Sequence, residues 1–71
     1  MRHHEYYMIL SDLWERYHQS DDFRKHLRFG QYVINSERLA EVIKPPLPKL
    51  FYEVDNKAAL NFLMMLGADL P

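Results

Sequence analysis

The sequence predicts a small, mostly all-α domain, with three helices and an extended proline-rich arm in a single unit over residues 1–71. Apolar residues recur at helical spacing along most of the chain. Capping residues precede the later helical patterns. Three prolines, Pro45, Pro46 and Pro48, then interrupt the helical pattern outright.

The first helix is expected over about 5–18. Tyr6, Ile9, Leu10, Leu13, Trp14 and Tyr17 follow the i, i+3, i+4, i+7 spacing of one helical face, and Asp12, Glu15, Arg16 and Gln19 fall opposite. Glu5 complements the helix dipole near its start. A polar break over 19–22 offers Ser20 or Asp21 as a cap for a second helix over about 22–43. Phe23, Leu27, Gln31 and Ile34 lie along one line of it. Gly30 sits inside that pattern, where it costs about 1 kcal/mol relative to Ala. Two readings explain the glycine: close packing against Trp14 or Tyr17, or a bend that splits the segment near 27–29. Asn35 and Ser36 offer a further cap, with Leu39, Val42 and Ile43 as the next apolar line.

The prolines lack amide donors and push each preceding residue toward extended geometry, so 44–49 reads as a connector. Residues 50–54 are β-prone but have no partner strand, and read as an extended segment packed on the helices. Asp55 is a good N-cap for a last helix over about 55–66, with Gly67 placed to end it. Only Lys57 and Asn61 give that helix a polar stripe. Such a helix is normally covered all round. Either the rest of this chain covers it, or a partner or second copy does. The expected core is Ile9, Leu13, Trp14, Tyr17, Phe23, Leu27, Ile34, Phe51, Leu60 and Leu63.

Composition narrows the function. The chain has 71 residues, ten of them aromatic, and no cysteine, so stability must come from apolar packing without a disulfide or a thiolate zinc site. The formal net charge of −1 supplies no global field for nucleic acid or membrane. No apolar run reaches membrane-span length, and the start lacks the hydrophobic stretch of a signal peptide. A soluble, cytoplasmic protein is the expectation.

Catalytic constellations are missing from the pattern. Ser11, Ser20 and Ser36 sit in helical or capping contexts, and none lies on a glycine-flanked turn of the kind that presents a nucleophile. His3 and His4 are adjacent and His18 and His26 are eight apart, unlike the i, i+4 pair of a helical zinc site. Two glycines cannot build a phosphate-cradling loop. The expectation is a non-enzyme with no cofactor and no metal. One local concentration of charge remains, Arg24, Lys25, His26 and Arg28, bordered by Phe23 and Phe29. It is either a solvated face balanced by Asp21 and Asp22, or a surface for phosphates or an acidic partner.

Two elements carry a family resemblance. Residues 27–31 read Leu-Arg-Phe-Gly-Gln ahead of a helix, and residues 50–55 read Leu-Phe-Tyr-Glu-Val-Asp ahead of the last one. The chain thereby resembles short uncharacterised proteins of phage and prophage genomes, in which an R-x-G-Q element precedes one helix and an F-Y-x-x-D element caps another. The likeness covers 27–66, and the opening helix, with Asp12-Leu13-Trp14-Glu15, resembles their E-L-W-type core. The stretches 20–26 and 44–49 depart from the pattern. The resemblance implies a mobile-element origin, and with it the cytoplasm of a host cell; the group brings no established activity. Arg28 and Gln31 can serve either as fasteners to the 51–55 arm or as a functional pair.

The leading expectation is therefore a small protein-binding module, a phage-borne modulator or inhibitor of a host or defence protein, with a host protein or a second copy as its partner. Phe62, Met65 and Leu66 on the last helix are its expected contacts, and a two-fold homodimer is the simplest self-assembly. The alternative is a helical nucleic-acid-binding regulator that uses Arg24, Lys25 and Arg28.

Overall fold

In a computed structural model, which describes residues 1–44 and 47–71, the chain is all-α and has no strand among the described residues. Five helices follow one another: α1 (His3–Gln19), α2 (Asp21–His26), α3 (Phe29–Ser36), α4 (Pro48–Phe51) and α5 (Asn56–Gly67). Three of them, α1, α3 and α5, are longer than a single turn or two and correspond to the three main helices expected. Pro45 and Pro46, the centre of the expected arm, lie outside the described residues.

The spine is α1. Its stripe Tyr6, Leu10, Leu13 and Tyr17 is buried to 2% exposure or less, and each such side chain contributes about 1.5–3 kcal/mol by leaving water. Ile9 and Trp14, both expected in the core, flank that stripe half-buried. Trp14 meets Phe29 edge-on with ring centroids 4.7 Å apart. Asp12 falls on the outer face but is not idle there. Its Oδ2 accepts from Arg38 Nη1 at 2.6 Å and from Arg16 Nε at 2.8 Å, and these two guanidiniums, Arg38 first, hold its carboxyl below the usual range.

The helical segment expected over 22–43, with a bend near 27–29 as one reading, is two helices and a run of turns. Ser20 caps α2 by accepting from the Phe23 amide, and α2 ends because Leu27 and Arg28 are extended. The break thus falls in the 27–29 stretch. No residue of α2 is buried. Phe23, expected in the core, is 37% exposed and rests on Tyr32 at 4.9 Å, because so short a helix lies at the periphery. α3 stops at Glu37, whose φ of 60° is left-handed, a conformation that costs a non-glycine residue about 1–2 kcal/mol. Beyond it, the Leu39/Val42/Ile43 line forms one turn closed by Ile43 N donating to Leu39 O at 2.8 Å. That single turn buries Leu39 and Ile43.

The break between α2 and α3 is bolted to both neighbouring helices. Tyr17 OH donates to Leu27 O at 2.6 Å and accepts from Asn56 Nδ2 at 3.3 Å, while Asn56 Oδ1 accepts from Phe29 N at 3.1 Å. Both orphan groups of the kink are thereby satisfied.

Gly30 serves close packing, as one of the two readings held, but against a different neighbour. A Cβ there would overlap the Leu50 carbonyl oxygen, so α3 and α4 touch backbone to backbone. The segment around Leu50, expected extended, contains α4, because Pro48 at its first turn is preset for helix and has no amide to lose. Asp55 caps α5 as expected, accepting from Lys57 N at 3.0 Å. Gly67 does not end α5 in a left-handed turn; it is the last helical residue, buried beneath Tyr6, whose ring a Cβ would strike. Tyr6 and Tyr7 close this end by donating to the Leu63 and Met64 carbonyls at 2.5 and 2.6 Å.

Gly30→Ala should destabilise the protein by about 2–3 kcal/mol, since backbone cannot yield as a side chain does; a thermal melt unchanged from wild type would contradict this packing. Asn56→Ala strands the Phe29 amide and should cost about 1–3 kcal/mol by urea denaturation. A third expectation concerns pH. Burial, with Tyr7 contributing less, pushes the Tyr6 phenol from 10.0 up to about 12. Between those values the unfolded chain gives up a proton that the folded chain keeps, so this contribution is complete below pH 10 and is lost as pH rises toward 12. Tyr6→Phe should start about 1 kcal/mol less stable at neutral pH, for want of the Leu63 hydrogen bond, and should reach and then pass the wild type as pH rises through that window.

Candidate interaction surfaces

Among the described residues, no three His, Asp or Glu side chains gather as a metal would require. No helix of the described residues is long and apolar enough to cross a membrane. Two surface hollows, one beside α4 and one beside Tyr52 at its end, hold the site residues expected from the sequence except Leu66.

The first lies between α4 and α5. Ala58, Asn61, Phe62 and Met65 repeat at i, i+3, i+4 and i+7 along α5 and face Lys49, Leu50 and Glu53 across a groove of about 300 Å³. Phe62 is half-buried against the core and Met65 is 73% exposed. Leu66 is also half-buried on the core and does not line the groove. α5 is thus not wrapped all round. Ala59, Leu63 and Gly67 form its buried line, and the polar line of Lys57 and Asn61 continues into Met64 and Met65, which face water where polar residues would ordinarily sit. Met64, 44% exposed, was not among the expected contacts. In a helix so rich in apolar residues, periodicity cannot say that both adjacent methionines point outward.

The second hollow is polar and cationic. Arg24, Lys25 and His26 at the end of α2, Arg28 in the kink and Gln31 in α3 line a cleft of about 670 Å³ with Tyr52, just after α4. The basic run from the sequence therefore does converge on one place. Arg24 pairs with Asp21 along α2. Arg28 Nη1 donates to Tyr52 O at 3.2 Å, and Gln31 Oε1 accepts from Arg28 N at 3.1 Å, capping α3. Both residues of the R-x-G-Q element thus fasten backbone, Arg28 reaching the arm over 51–55. Tyr52 itself is 66% exposed and its ring meets Phe51 edge-on at 5.2 Å. The sequence allowed Arg28 to fasten the 51–55 arm, but did not show that this bond sets the Tyr52 ring beside the rest of the basic run, 24 residues away from Arg28.

No protein-family model matches the chain, and no curated protein and no solved structure is similar to it.

Proposed function

We propose that this chain is a small, non-catalytic protein-binding module whose contact surface is the groove between α4 and α5. The observation that carries the reading is the placement of Phe62 and Met65. A half-buried aromatic fixed on the core stands beside a fully presented methionine, and together they offer an anchor and an adaptable neighbour. Lys49 and Glu53 supply a charged rim of both signs on the same groove. Across a two-fold axis such a rim is self-complementary, so a second copy is the simplest occupant. In keeping with the phage-protein resemblance, the biological role we propose is that of a modulator or inhibitor of a host protein, acting in the cytoplasm of the host cell.

Light scattering tests the reading. The wild-type mass should rise above 8.6 kDa with concentration, and Met65→Asp should hold it at the monomer value with unchanged helical circular dichroism. A monomeric wild type at every concentration, together with a photo-crosslinker at position 65 that labels no protein in host cells, would remove the proposal.

A further inference from the structure

We infer that the cleft between α2 and α4 binds single-stranded nucleic acid, with phosphates on Arg24, Lys25 and Arg28 and a base stacked on Tyr52. The chain as a whole carries a net charge of −1, so cations gathered at one place are a local feature and not a reflection of a basic protein. Four cationic or protonatable side chains, three from α2 and one from the kink that follows it, line this one cleft. Their charge is only partly spent. Arg24 engages Asp21, and Arg28 uses one of its five N–H donors on Tyr52 O. Lys25 makes no ion pair among the described residues, and its side chain is exposed.

Tyr52 decides the kind of anion. An aromatic ring two-thirds exposed at the edge of a cationic cleft, and braced edge-on by Phe51, provides the stacking platform of sequence-tolerant single-strand binding. The Arg28 hydrogen bond to the Tyr52 carbonyl ties charge and ring together, so a base and its neighbouring phosphate meet both at once. A duplex fits poorly. Groove reading calls for a protruding helix; α3 is committed to the core through Phe29, Gly30 and Val33, and α2 has only six residues. An acidic peptide would use the cations and leave the ring without purpose.

The probe is a fluorescein-labelled oligothymidylate of about twelve nucleotides, followed by anisotropy at low salt. Wild type should bind in the micromolar range, with log K falling against log salt at a slope of about −2 for three phosphates neutralised. Lys25→Glu should weaken binding about tenfold. Tyr52→Ala should weaken it at least fivefold while Tyr52→Phe stays near wild type; both positions are exposed, and circular dichroism verifies that the variants fold. Met65→Asp should bind the oligonucleotide as wild type does, which separates this cleft from the α4/α5 groove. An oligonucleotide still free at about 100 µM protein, a polyglutamate peptide bound as tightly, or affinity indifferent to Tyr52→Ala would each overturn the assignment.

Discussion

Everything in this fold depends on how the kink at Leu27 and Arg28 is held. An extended pair of residues between two short helices exposes a carbonyl at the end of one and an amide at the start of the next. Here the carbonyl of Leu27 is met by the Tyr17 hydroxyl from α1, and the amide of Phe29 by the Asn56 side chain from α5. The same hydroxyl accepts from Asn56, so three helices and the kink share one connected set of hydrogen bonds in a partly buried place. Low local dielectric makes such a set strong when complete and costly when broken. It turns what would be a frayed joint into the position from which α3 is aimed.

The aim of α3 then sets α4. Because Gly30 lets the Leu50 backbone come into contact, α4 lies against α3 with no side chain between them, and Leu50 is buried to 1%. One border of this short element forms the wall of the apolar groove through Lys49 and Glu53, and its far end delivers Tyr52 to the cationic cleft. Two surfaces of opposite character therefore share a single positioning element. The approach of that element to α3 is set by a glycine that lines neither hollow.

The readable parts of the fold were those encoded over short range. The α1 stripe, the Ser20 and Asp55 caps and the kink in the 27–29 stretch all follow from residues within one or two turns of each other. Apart from the Arg28 bond to the 51–55 arm, long-range partners were not readable. Gly30 had a packing role, but its neighbour was Leu50 and not Trp14 or Tyr17. Asn56 carries no periodic signal and looks like any polar residue in a first helical turn. Gly67 fits the rule for a helix terminator, yet Tyr6 needs its missing side chain. Glu37 in a left-handed conformation is flagged by no propensity, so the end of α3 could not be seen. The surfaces divide in the same way. The basic run is contiguous and was visible, as were Phe62 and Met65; Tyr52 joins the cleft only through tertiary structure, and the phase of α5 was blurred by its apolar composition.

The tyrosine bonds that close the bundle impose an order on its assembly. Tyr6 and Tyr7 reach carbonyls 57 residues further along, so the helix that organises the core waits for the last helix to complete its cover. Loop-closure entropy must be met before those contacts contribute. During synthesis α1 emerges before α5, with Tyr6, Tyr7 and Tyr17 lacking their α5 partners until the last helix is made. Truncation before α5 would leave an adhesive stripe and no native intermediate to shelter it. The chain's vulnerable moment is therefore the interval between the synthesis of α1 and that of α5.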